Sequence, residues 1–334
     1  MATRKLLHTI LCLLMLGLFA GCDEEPLKVN YELGIFPDSV IAIEGLNTQY
    51  DDFNTALEAS TIDSYEPLVF SSNRNSAGGE FDLVHGVIWY SFGQTTGSFS
   101  FGGEMSPDPF LDELTSAFNT PADEFGPFRF FNSGNGREYM ITGTEKEGTG
   151  LDIVFTSYIP VYSPLPVIPD PVPASVFNSD FNDVYLSLSK TLDTAYFCSD
   201  RSGNFDIYMM KKPSATGLDE WFSSAPAIPV AVDSLCSGSR DKCPFVSGRY
   251  MVFASDMPGG SGGFDLYLSV FTGGKWGSPV NLGPEINSSA NEYRPVLGTD
   301  LYFENRYLIF SSDRSGGKGG YDLYFTGIDL PPVE

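Results

Sequence analysis

Histidine is almost missing from this chain: there are two in 334 residues. One of them, His8, falls in an apolar leader. A multi-histidine zinc site is therefore excluded for the remainder, and a Ser–His–Asp or Cys–His site would have to use His85. His85 stands in "FDLVHGVIWY", an apolar strand-like run, and reads as a partly buried structural histidine. Basic residues are also scarce, 19 Lys and Arg against 43 Asp and Glu, for a net charge of −24. Phosphate binding needs a basic surface, so nucleic acid is not a fitting partner. Helical periodicity is rare, and the apolar and aromatic runs are short and strand-like.

The first residues read as an export signal. Arg4 and Lys5 precede an apolar run from Leu6 to Ala20 that ends in "LFAGC". That run is too short for a membrane span. Ala20 and Gly21 before Cys22 resemble the lipobox of bacterial lipoproteins, with Phe19 where that family has Leu. The resemblance implies cleavage after residue 21 and a lipid on Cys22. The following "CDEE" resembles the acidic tether of some surface lipoproteins, or is a solvated linker. The expected organisation is a signal at 1–21, a lipidated tether at 22–34 and one domain at 35–330. The expected location is the bacterial envelope, as an outer-membrane lipoprotein on the periplasmic or outer side. In an oxidising compartment the thiols Cys198, Cys236 and Cys243 suggest one bridge and one free cysteine. Cys236 and Cys243, seven apart and flanking a loop, are the expected pair; Cys198 lies inside an apolar strand.

One string recurs. It appears as "FSSNRNSAGGEFDLV" from Phe70, "FCSDRSGNFDIYM" from Phe197, "FASDMPGGSGGFDLYL" from Phe253 and "FSSDRSGGKGGYDLYF" from Phe310, with a decayed version from Ile141. A second string precedes each copy, beginning at Asn47, Asn119, Asn178, Cys236 and Asn287. Two strings in the same order five times define a repeat of about 56 residues. Each unit reads as a buried strand, a glycine turn and an alternating aromatic strand, flanked by a strand on either side. Four strands per unit predict an all-β fold: a five-bladed β-propeller of four-stranded antiparallel blades. The fifth copy lacks its fourth strand, and "DSVIAIEGLNT" near the N-terminus supplies a spare one. Residues around Ser39 to Glu44 are thus expected to pair with 321–326 and close the last blade.

The "SSDR", glycine-turn and "DLY" pattern resembles the TolB-type, WD-like propeller repeat of bacterial envelope proteins, over roughly Asn47 to Phe325. That resemblance implies binding rather than catalysis and supplies no catalytic residues. The expected function is a non-enzymatic envelope scaffold, with no cofactor, binding an envelope protein or peptide, a basic one among the options. The alternative is a carbohydrate-active or glycan-capturing surface lipoprotein, since many five-bladed propellers hydrolyse glycosides with paired carboxylates at the central cavity.

Repetition assigns Asp200–Arg201 and Asp313–Arg314 to structure: Asp holds the turn and Arg pairs with an acid of the next blade. The strand-entry acids Asp82, Asp152, Asp206, Asp265 and Asp322 read as structural rather than as a calcium loop, so no metal site is expected. The acids Asp52, Glu124, Asp183, Asp241 and Glu292 form the candidate binding face, an acidic ring near one channel mouth; otherwise each pairs with a repeat Arg. Two insertions break the period. Gly93 to Phe118 holds a candidate amphipathic helix, and Pro160 to Pro173 is a proline-rich extended loop. They are recognition elements or packing loops. Trp221 and Trp276, placed in fourth strands, and Trp89 pack between blades or form an aromatic platform.

Overall fold

The computed structural model describes residues 29–57, 65–146, 150–161 and 164–332. The leader, Cys22 and the start of the expected tether lie outside the described residues. A short strand β1 (Ile41–Ala42) is followed by five blades. Blade 1 holds β2 (Asp52–Leu57), β3 (Tyr65–Ser72), β4 (Asp82–Phe92) and β5 (Phe99–Glu104), then helix α1 (Pro109–Phe118). Blade 2 holds β6 (Glu124–Asn132), β7 (Arg137–Lys146), β8 (Gly150–Tyr158) and β9 (Val172–Pro173). Blade 3 holds β10 (Asp183–Leu188), β11 (Thr194–Ser199) and β12 (Asp206–Lys211), a one-turn helix α2 (Leu218–Phe222), and β13 (Val230–Ala231). Blade 4 holds β14 (Asp241–Ser247), β15 (Tyr250–Ser255) and β16 (Asp265–Thr272), with two short outer pieces, β17 (Lys275–Trp276) and β18 (Val280–Asn281). Blade 5 holds β19 (Glu292–Gly298), β20 (Arg306–Ser312) and β21 (Asp322–Ile328), with β1 as its fourth strand.

The ring closes as expected. Ile41 pairs with Phe325 and Ala42 with Tyr324, antiparallel. The inner strands β2, β6, β10, β14 and β19 touch in cyclic order, and β19 meets β2 again. Three inner strands, β2, β10 and β19, are nearly all buried, because each faces two neighbouring blades as well as the axis; β6 and β14 are mostly buried.

Every inner strand also bulges at the same place, two residues after its first acid. Asn54, Gly126, Tyr185, Cys243 and Arg294 have φ of 60, 61, 60, 58 and 47°. At these points the register against the second strand shifts. Only Gly126 adopts this conformation freely; the other four are held left-handed by the ladder on either side. A bulge re-aims one side chain per blade, which sets what fills the centre.

The glycine turns have a packing reason. A Cβ on Gly317 would lie 1.9 Å from Asp322 Oδ2, and one on Gly319 would lie 1.8 Å from the Tyr50 carbonyl oxygen of blade 1. The turn is thus pressed against its own strand-entry acid and against the next blade.

Blade-to-blade contact is stapled by the second repeat string. Asn47, Asn119, Asn178 and Asn287 each bracket one backbone residue on the third strand of the preceding blade. The amide accepts from the N–H and donates to the carbonyl of Leu323, Leu83, Ile153 and Leu266 respectively. At the joint between blades 3 and 4 the position is Cys236, which makes one long thiol contact, 3.6 Å to the Ile207 carbonyl. Cys236→Asn restores the two-bond bracket and is expected to raise stability by about 0.5–1.5 kcal/mol. Urea unfolding followed by circular dichroism checks this; an unchanged or lower midpoint would show that the joint cannot accept the bracket.

Other expectations are corrected by the fold. Arg74, Arg201 and Arg314 pair with Asp52, Asp183 and Glu292 of their own blade, not of the next one. The thiols of Cys198, Cys236 and Cys243 are all free, so the expected Cys236–Cys243 bridge is not formed. Cys243 lies on an inner strand, where its N–H donates to Cys198 Sγ of the preceding blade at 3.0 Å. Trp221 sits in α2 rather than in a strand and is buried, as is Trp276; Trp89 is partly exposed on β4.

Candidate functional site

The five acids expected to form a binding face are wholly buried, each at 0% exposure. They lie inside the blades and give no acidic surface. Asp183 illustrates their use. It accepts from the Ser179 N–H and hydroxyl at 2.8 and 2.7 Å, and from the Arg201 guanidinium. Glu292 does the same with Ser288, Ser312 and Arg314, the last at 2.9 Å. The turn acids complete this unit. Asp200 accepts from Asn182 N–H and Asp313 from Asn291 N–H, each fixing the entry to the inner strand. Two copies lack the arginine contact. Among the described residues, Glu124 has Thr120 and Thr144 on Oε1, and its Oε2 has no hydrogen-bond partner. Burial pushes its carboxyl up to about 7. Asp241, with serines but no arginine, is also raised by burial.

The strand-entry acids hold turns. Asp322 accepts from the N–H groups of Lys318 and Gly319, and Asp265 from those of Ser261 and Gly262. Among the described residues no group of three or more His, Cys, Asp or Glu is arranged to hold a metal ion. His85 ties the first insertion down: Nε2 lies 2.8 Å from Asp112 Oδ1 on α1.

The centre of the ring is aromatic and cationic. Phe53, Phe125, Tyr293 and Tyr321 pack around it, and the Lys242 ammonium sits 3.8 Å over the Phe205 ring. The five bulge residues there include no acid. Paired carboxylates at the centre, which a glycoside-cleaving propeller was expected to show, are not what these positions carry.

Carboxylates that do not belong to the repeat lie elsewhere. Glu66 and Asp300 share the Tyr90 hydroxyl, at 3.2 and 2.9 Å, between blades 5 and 1. Both are buried, and the Phe36, Phe303 and Tyr307 rings surround that tyrosine, so the pair has no open side.

A third arrangement is open. Both insertions converge on one cavity of about 350 Å³ between blades 1 and 2. Its walls are Asp108, Phe110 and Leu111 from the first insertion, Pro160, Val161, Leu165 and Pro166 from the second, and Pro67, Arg129 and Glu138 from the blades. Helix α1 forms because Asp108 caps it and Pro109 occupies its first turn. Its Leu111, Leu114 and Phe118 pack against Val69, Leu83, Met140 and Tyr158. That packing fixes where Asp108 stands. Its Oδ1 accepts from the N–H groups of Phe110 and Leu111 at 2.9 and 3.2 Å. Glu138 Oε2 lies 3.6 Å from Arg129 Nη2 and accepts from the Tyr158 hydroxyl. Among the described residues, each carboxylate thus spends one oxygen on the fold and leaves the other, Asp108 Oδ2 and Glu138 Oε1, as an acceptor. Two acceptors, a guanidinium and an aromatic-proline wall suit a ligand with hydroxyls on its edge and C–H groups on its face. The insertions were legible as breaks in the period; their meeting, and Glu138 and Arg129 beneath them, were not.

No family model matches the chain, and no curated protein matches it. Solved structures do match in fold. The endo-arabinase of Bacteroides thetaiotaomicron superposes with a TM-score of 0.56 at 13% identity, covering 88% of this chain and 98% of that one. A thermostable family-43 glycoside hydrolase gives 0.55 at 13%, covering 87% and 94%. The alpha-L-arabinofuranosidase of Lactobacillus brevis gives 0.52 at 9%, again covering 87% and 94%. These matches overturn the TolB-type expectation and, with it, the non-enzymatic scaffold with a protein or peptide partner. At such identities the likeness establishes a shared five-bladed propeller fold.

Proposed function

We propose that this chain is a carbohydrate-active protein that takes a glycan into the cavity between blades 1 and 2. The observation that carries this reading is the convergence of both insertions on a cavity with two half-used carboxylates. The solved propellers of like fold, an endo-arabinase and an arabinofuranosidase among them, support a glycan as the ligand class. Two carboxylates flanking a bound sugar support glycoside hydrolysis, one as acid and one as base or nucleophile. Glu138, held by Arg129 and the Tyr158 hydroxyl, is the candidate base or nucleophile. Asp108, which lines the same cavity with Phe110, Leu165 and Pro166, is then the candidate proton donor. The export leader and Cys22 support an envelope location, where polysaccharide is met.

The test is a panel of arabinan, arabinoxylan and their oligosaccharides, read by affinity electrophoresis and by release of reducing ends. Wild type is expected to be retarded by, or to cleave, at least one of them. Glu138→Gln and Phe110→Ala are each expected to weaken the effect about 10-fold or more. A wild type inert to the whole panel, or variants that act like it, would sink the reading.

A further inference from the structure

The bulge of β19 aims Arg294 into the centre of the ring. This arginine starts on blade 5, reaches blade 2 and lies against blade 3. Its Nη2 donates to the carbonyls of Gly126 and Pro127 at 3.3 and 2.8 Å, and Cζ sits 5.5 Å over the Tyr185 ring. The side chain is 0% exposed. No acceptor among the described residues takes a hydrogen bond from Nε or Nη1. No carboxylate among the described residues pairs with it. The ionisable groups that face it are Cys243, Tyr185, Cys198 and Tyr293. Burial raises all four, so they stay neutral and offer no charge. On the adjacent inner strand, at the matching bulge, Asn54 is equally buried and both polar atoms of its amide lack partners.

A buried guanidinium without a counter-charge costs several kcal/mol, and two carbonyl dipoles and an aromatic face offset only part of it. We propose that the propeller axis holds a small monovalent anion, chloride in practice, against Arg294 Nε and Nη1. The anion supplies the missing charge and acts as the hub on which blades 5, 2 and 3 are pinned.

Two measurements on the exported domain test this. In crystals soaked in sodium bromide, an anomalous peak is expected in hydrogen-bonding contact with Arg294 Nε or Nη1. Ordered water alone at that place would overturn the proposal. In solution, replacing sodium chloride by sodium gluconate at constant ionic strength is expected to lower Tm by about 2–4 °C, because gluconate is too large to enter. Arg294→Met is expected to abolish that difference; should it not fold, the bromide map on wild type decides. Equal Tm in both salts means an adventitious ion only, and overturns the proposal even if bromide is seen.

Discussion

Asp183→Ala is expected to lower stability by about 3–5 kcal/mol, among the largest losses available from one side chain. The carboxylate is buried and receives the Ser179 N–H, the Ser179 hydroxyl and the Arg201 guanidinium together. Removing it strands all three donors at once, and the arginine keeps its charge. At about 2–4 °C per kcal/mol, the fall in Tm is roughly 6–20 °C. Glu124→Gln at the matching position of blade 2 should behave differently, because no arginine depends on Glu124. Unfolded, this glutamate loses its proton near pH 4.5; folded, it does so at about 7. Between those values the folded chain keeps a proton that the unfolded chain has released, so stability falls as pH rises across that window. Glutamine removes that fall. The variant should match wild type near pH 4.5 and be the more stable of the two at pH 8. Urea midpoints for both variants at the two pH values decide it. A small loss for Asp183→Ala, or a Glu124→Gln effect independent of pH, would mean that these acids are not held as described.

What could be read from residues alone depended on how local the cause was. The hairpin strings gave the blades, and a spare strand at one end matched a missing strand at the other, because both depend on short stretches repeated five times. The arginine partner was misjudged by one step: Arg314 curls back to Glu292 of its own blade, and spacing alone does not say which way a long side chain turns. Cys236 and Cys243 looked paired because they are close in sequence. The bulge at Cys243 instead turns its N–H to Cys198 of the preceding blade. The cavity was harder still. Asp108 and Glu138 are brought together by a helix that packs across two blades, and nothing repeats there to reveal it. Arg294 was invisible for a related reason: it occupies an ordinary strand position, and only its positive φ turns it toward the axis.

Phe36→Ala should cost about 3–5 kcal/mol, although Phe36 lies outside every strand. It stacks on Phe303 at 3.8 Å and meets Tyr90 and Phe99 of blade 1 and Tyr307 and Phe325 of blade 5 edge-on. The Asn305 amide brackets its backbone, accepting from N–H at 2.8 Å and donating to the carbonyl at 2.9 Å. The other four joints link blades that follow each other along the chain, so their loops keep them near one another even when loosened. The joint between blades 5 and 1 is linked along the chain only through β1. The β1 ladder there is only two residue pairs long. Much of its strength must come from side chains, and Phe36 packs against rings of both blades at once. The loss should therefore appear first as local opening. Amide exchange at Tyr324 and Phe325 should accelerate more than exchange on β11 or β15. Phe36→Leu should restore part of the loss by refilling the space. A Phe36→Ala variant that loses less than about 1 kcal/mol, or exchanges uniformly faster in all blades, would show that closure rests on the β1 ladder instead.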